Sequence, residues 1–124
     1  CQPKFVLGLN FTLRTLMSNE TFKELEKTTL EFAQAESEKV YLMEYRKSLK
    51  AILMAKAEAN NPSLAIAKQE REAYADPEYI EFLKGLKVAV EKSLSLRFKV
   101  KVIEMKFESW RSKQATSRAE MTLK

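Results

Sequence analysis

From Thr21 onward, Phe22, Leu25, Thr29, Phe32 and Ala35 recur at steps of three and four, and Leu42, Tyr45, Leu49, Ile52 and Leu53 continue the rhythm. That spacing places them on one face of an amphipathic α-helix. Thr21 and Glu24 have capping-box spacing, so the helix is predicted to start there. No Gly or Pro intervenes before Asn60. Some forty residues at about 1.5 Å each would extend about 60 Å. A helix of that length has to lean on another of similar length.

Asn60, Asn61 and Pro62 stop the pattern. Asn61 is predicted to cap a short second helix with Pro62 in its first position, where a missing N–H costs nothing. This helix runs through Leu64, Ile66, Ala67 and Ala73 to about Tyr74. The stretch YADPEY repeats the device: Asp76 caps, Pro77 leads, and Glu78 sits at the positive end of the helix dipole. A third helix then continues to the end of the chain, with Gly85 tolerated inside it at about 1 kcal/mol. Its predicted stripe is Tyr79, Leu83, Leu86, Val90, Leu94, Phe98, Met105 and Ser109. LRFKVKVIEMKF (96–107) alternates apolar and basic residues like a half-buried strand. With no turn signals and no second strand to pair with it, and with Leu94, Phe98, Val102 and Met105 at helical spacing, it reads as helix. The fold class is therefore all-α: two long helices in an antiparallel hairpin, joined by a short one. Apolar residues spread round both long helices call for further subunits. Association is expected through helix packing without a strict heptad register.

Composition agrees. Only two Gly and three Pro occur in 124 residues, too few for the turns of a β domain. There is no His, and Cys1 is the only Cys. That removes the usual metal sites, Cys/His nucleophiles and any internal disulfide. No glycine-rich phosphate loop or Ser/His/Asp set occurs either, so the reading is a non-enzyme without cofactors. The chain suits a reducing cytoplasm.

The first sixteen residues differ in texture. CQPKFVLGLNFTLRTL is apolar and poor in acid, and Met17 then opens MSNETFKELEK like an ordinary start. Its apolar run, broken by Asn10 and Arg14, is too short to span a membrane. Residues 1–16 read as a non-native or disordered leader, and 17–124 as a single helical domain.

Charge sharpens the functional question. Residues 17–91 hold eleven basic and fourteen acidic side chains, whereas residues 92–124 hold nine basic and three acidic ones. A basic C-terminal quarter suggests an anionic partner. In KFESWRSKQATSRAEM (106–121), Phe107, Arg111, Gln114 and Arg118 share one helical face, with Trp110 and Lys113 beside it. Aromatic rings stack on unpaired bases while Arg and Lys hold phosphates, a combination suited to single strands. The alternative is that Phe107 and Trp110 anchor a helix or subunit and the charges face solvent. Arg97, Lys99, Lys101 and Lys106 form a second basic group spread round the helix. Arg46, Lys47 and Lys50 form a third beside Tyr41 and Tyr45, with Glu38 and Glu44 near enough to pair locally.

AKQEREAYADPEYIEFLKGL (67–86), followed by a long helix ending in FESWRSKQATSRAEM (107–121), resembles the UvsY family of phage recombination mediators. The resemblance covers about residues 38–121 and includes Leu49-Lys50-Ala51 and the segment from Lys68 and Glu70 to Asp76. It implies a homo-oligomeric helical protein that binds single-stranded DNA and helps a phage recombinase load onto strands covered by single-strand-binding protein. The family's Lys-Ala-Arg element would fall on Lys50, Ala51 and Ile52. Lys50 is retained, but Ile52 stands in place of Arg, and Arg46 and Lys47 lie a turn earlier. C-terminal helices serve assembly in that family, which would make Phe107 and Trp110, with Phe98 and Met105, interface residues.

Together these readings give a DNA-binding recombination accessory with no enzymatic activity, metal or membrane association. Its nucleic-acid candidates are Arg46, Lys47, Lys50, Arg97, Lys101, Arg111, Lys113 and Arg118. The alternative function is a helical scaffold or adaptor that binds protein partners only.

Overall fold

In a computed structural model the chain is all-α, with helices α1 (Gln2–Asn60), α2 (Ile66–Ala75) and α3 (Pro77–Leu123). The structure describes the backbone of residues 2–123 and the side chains of 19–123. Of the expected leader, 1–16, it therefore describes only the backbone of 2–16, as the first turns of α1. Thr21 lies inside this helix and is not its cap. α1 and α3 form the expected antiparallel hairpin, with α2 between them. The chain divides into two compact units, one of Cys1–Phe32 with Leu96–Lys124 and one of Ala33–Ser95.

The Ala33–Ser95 unit contains the turn of the hairpin. Asn61 does not cap α2. Its Oδ1 accepts hydrogen bonds from the Ser63 N–H at 3.3 Å and the Ser63 hydroxyl at 2.9 Å, closing a local turn. Pro62 lies in that turn, and α2 begins only at Ile66. The buried Gln69 donates from Nε2 to the Leu64 carbonyl at 3.0 Å, which satisfies its amide against the loop. Asp76 behaves as expected. Its Oδ1 accepts from the Glu78 N–H at 2.8 Å, and Pro77 opens α3. Its Oδ2 also meets Lys56 Nζ at 3.2 Å, which ties the cap to α1. The core of the unit is Leu49, Leu53, Ala73 and Tyr79, with Met54 and Phe82 packed against it.

The bond from the Glu78 N–H, followed by Lys56, holds the Asp76 carboxyl below its ordinary value. A depressed carboxylate stabilises the fold above the ordinary Asp range and loses that contribution as pH falls through its folded value. Asp76→Asn keeps a capping side chain but loses the charge. Thermal melts followed by helical circular dichroism should show a lower midpoint for the variant at neutral pH. The difference should shrink as pH falls below the ordinary Asp range.

The buried face differs from the predicted stripe. Buried and half-buried positions along the α3 seam are Tyr79, Phe82, Leu86, Ala89 and Ser93 in this unit, then Leu96, Val100, Ile103, Phe107, Trp110, Gln114 and Ser117 in the other. They step by three and four in strict alternation, the heptad rhythm of knobs-into-holes packing. On α1 the same rhythm joins Thr21, Leu25, Thr28 and Phe32, and then Ala35, Lys39, Leu42, Leu49 and Leu53, with exposed Arg46 occupying its place in the series. The seam within the chain is therefore heptad. Leu83, Leu94, Phe98 and Met105 on α3, and Phe22, Tyr45 and Ile52 on α1, are exposed. The physical reason is that α3 carries two apolar faces at helical spacing, and the inner one includes small residues such as Ala89 and Ser93. Ser93 is buried, and its hydroxyl donates to Glu36 Oε2. Small seam residues let helix axes approach more closely than a row of Leu and Phe would allow.

Candidate nucleic-acid interface

The unit formed by Cys1–Phe32 and Leu96–Lys124 carries most of the basic candidates. Its seam is built from Leu25, Thr28 and Phe32 on α1 against Leu96, Val100, Ile103, Phe107 and Trp110 on α3. Ile103 is 1 % exposed. The register is fixed by Phe22 meeting the Phe107 ring edge-on at 5.6 Å between centroids. Phe107 in turn stacks on Trp110 at 5.9 Å. Three rings thus form one continuous run. Its outer member, Phe22, remains 59 % exposed.

Two edges flank this seam. In an antiparallel heptad pair, like flanking positions of the two helices meet on each side, and their charges govern pairing. One edge of α3 carries Arg97, Glu104, Arg111 and Arg118, and the α1 residues across from it are Phe22 and Thr29. The other edge carries Lys99, Lys106 and Lys113, and the α1 residues across from it are Glu24 and Glu31. The two edges are therefore electrostatically unlike. Among the described side chains, Thr29 and Phe22 lie across from the stretch Arg97–Glu104–Arg111, whereas Glu24 and Glu31 lie across from Lys106 and Lys99.

The predicted contacts fall as follows. Arg97, Arg111 and Arg118 share the arginine edge, and all three are exposed. Arg111 meets Glu108 at 3.3 Å in a solvent-exposed pair, and such pairs hold a side chain only weakly. Lys113 lies on the lysine edge. Lys101 lies on neither: its Nζ is 5.8 Å from the Phe98 ring centroid, on the outward face. Phe98 and Met105 face outward at 58 % and 70 % exposure. Phe107 and Trp110 turn toward α1 of their own chain, which covers part of the surface that a neighbouring subunit would take.

The group in the other unit is differently placed. Lys50 Nζ meets Glu70 Oε1 at 2.5 Å and lies 5.0 Å from the Tyr74 ring centroid. Hydrogen bonding to Glu70, and then to Tyr74, holds the ammonium above the ordinary lysine range. It stays charged, with that charge directed at α2. Lys47 pairs with Glu44 at 3.2 Å. Arg46 is exposed. The structure brings Lys50 together with Glu70 and Tyr74 and leaves Arg46 and Lys47 outside that cluster.

Phe22, Glu24, Thr29 and Glu31 are the site residues that a search for basic clusters overlooks, since none is basic. Their signal lay in the heptad positions flanking the seam, which is visible only once the buried face is known. Among the described residues no group of His, Cys, Asp and Glu could hold a metal ion, and no helix is long and apolar enough to cross a membrane. Comparison with protein-family models, with curated proteins and with solved structures finds no match to this chain.

Proposed function

We propose that this protein is a non-enzymatic accessory that binds single-stranded DNA along the arginine edge of α3 and works as a homo-oligomer. The observation that carries the reading is the run Phe22–Phe107–Trp110 ending in an exposed ring, in the unit whose α3 also exposes Arg97, Arg111 and Arg118. Exposed aromatic faces stack on unpaired bases, at about 1–3 kcal/mol per base, and guanidinium groups hold phosphates and stack as well. Duplex DNA hides its base faces, so the arrangement favours a single strand. The outward stripe Phe98, Val102 and Met105 supports self-association. Several weak sites on one oligomer would then act together through effective concentration. The resemblance to phage recombination mediators is consistent with this role in a host cytoplasm, beside a recombinase and a single-strand-binding protein.

The test is fluorescence anisotropy of a labelled single-stranded oligonucleotide across a salt series. Binding should weaken linearly on a log–log plot, with a slope of about 0.7 per neutralised phosphate. Absence of binding at low salt would overturn the reading and leave the same exposed faces to a scaffold that binds protein alone.

A further inference from the structure

We propose that two copies of this chain pair antiparallel through the outward face of α3, about a two-fold axis beside Val102. This rests on the homo-oligomer reading above and assigns its contact surface. Phe98, Val102 and Met105 form an exposed apolar row at steps of four and three. Beside it, Arg97, Lys101, Glu104 and Glu108 form a second exposed row at steps of four, three and four. The first half of that row is cationic and the second half anionic. All seven residues lie in the unit that contains Leu96–Lys124.

Within one chain this order of charges is unfavourable. Arg97 and Lys101 are four residues apart, as are Glu104 and Glu108, and like charges at that spacing destabilise an isolated helix. Arg97, Lys101 and Glu104 enter no ion pair among the described residues. Glu108 meets Arg111 at 3.3 Å through Oε1, an exposed pair of little strength. An antiparallel copy reverses the row. Its Glu108 then lies against Arg97 and its Glu104 against Lys101, and the two-fold axis repeats both contacts. The same axis sets Phe98 against Met105 and Val102 against Val102, so the apolar and charged rows share one centre. A parallel copy in the same register would set each charge against its like.

The face also has a receiving shape. Lys101, Glu104, Met105 and Glu108 line an open hollow of about 460 Å³. Long charged side chains present apolar methylene stems along such a surface, and Phe98 of the second copy, set over Met105, meets this hollow. Arg97 also borders the arginine edge, and its N–H donors can meet a carboxylate and a phosphate together.

Sedimentation velocity on the full chain over a wide concentration range tests the pairing. Lys101→Glu and Glu104→Lys each turn two symmetry-related attractions into repulsions, and each is expected to weaken dimerisation roughly tenfold. Mixed in equal amounts, the two variants should pair with each other at least as tightly as the wild type, because every reversed charge then meets an opposite one. Cross-linking reads the axis. In a Cys1→Ser background, Val102→Cys should form a disulfide-linked dimer on oxidation with copper phenanthroline. Ser109→Cys, seven residues from the axis, should not. The altered side chains on α3 are all exposed, and circular dichroism verifies the helix in each variant.

A wild-type chain that self-associates while both single variants keep its affinity would overturn the inference alone. So would a mixture that stays as weak as either variant, or a cross-link at Ser109 equal to that at Val102, the mark of a parallel pair. A wild-type chain that stays monomeric at every concentration would overturn the inference and the homo-oligomer reading together. Oligonucleotide anisotropy on the same samples separates the rest of that reading. Charge-dependent pairing without binding to single-stranded DNA would leave the inference standing and remove the nucleic-acid role.

Discussion

Replacing Leu53 with Ala is expected to lower the stability of the fold by about 2–5 kcal/mol, the range for Leu→Ala at a buried site. Leu53 is 2 % exposed and belongs to a cluster in which α1, α2 and α3 all take part, through Leu49, Ala73 and Tyr79. Helical backbone on each side limits how far the neighbours can collapse into the space left behind, so the upper half of the range is expected. Urea denaturation measures it as a shift in midpoint with an unchanged slope. Protein concentration must be held constant, because self-association adds its own stabilisation. Ile52→Ala, one residue earlier and 54 % exposed, is the control. It should stay within about 0.5 kcal/mol of the wild type. A similar destabilisation at both positions would mean that the outward face is covered in solution. A small effect at Leu53 would contradict the packing itself.

Removing Arg97, Arg111 and Arg118 together is expected to weaken binding to single-stranded DNA by roughly a hundredfold at 0.1 M salt and to lower the salt slope by about 2. Both values follow from about 0.7 logarithmic units per decade of salt for each single-strand phosphate that is no longer neutralised. These side chains are exposed and lie outside the core, so folding should be unaffected. Phe22→Ala should weaken binding without changing the slope, because stacking releases no counterions. Lys50→Ala provides the contrast. Its ammonium meets Glu70 and Tyr74, so the change should lower the melting temperature and leave the slope as it was. Anisotropy and thermal melts on the wild type and these three variants decide the matter. If Lys50→Ala removes binding while the arginine variant retains it, the interface lies at the hairpin turn and not on α3.

The candidate site was legible in part. Phe107, Arg111 and Arg118 share a face at steps of four and seven, and the structure keeps them in one unit. Phe22 joins that site because Phe107 draws it in, although the same periodicity had placed it in the core. Lys50 read as an open cation because its partner lies twenty residues away on another helix. A local scan finds Glu44 and Glu38 but not Glu70. The glutamate row across from the lysines was equally hidden, since it acquires meaning only when one helix is laid against the other.

The sequence by itself determined the helical class, the end of α1 and the start of α3. Long runs free of Gly and Pro leave the backbone few alternatives to helix, and Asp76 followed by Pro77 starts α3 through a side-chain bond that needs no distant partner. Tertiary structure alone decided which face goes inside. α3 carries one apolar row through Leu94, Phe98 and Met105 and another through Leu96, Ile103 and Phe107, and periodicity cannot rank two rows of equal spacing. The partner helix ranks them. The row buried is the one that combines large residues with the small Ala89 and Ser93, because close packing rewards complementary shape as well as apolar surface. Once that face is chosen, the two charged edges take their positions beside it.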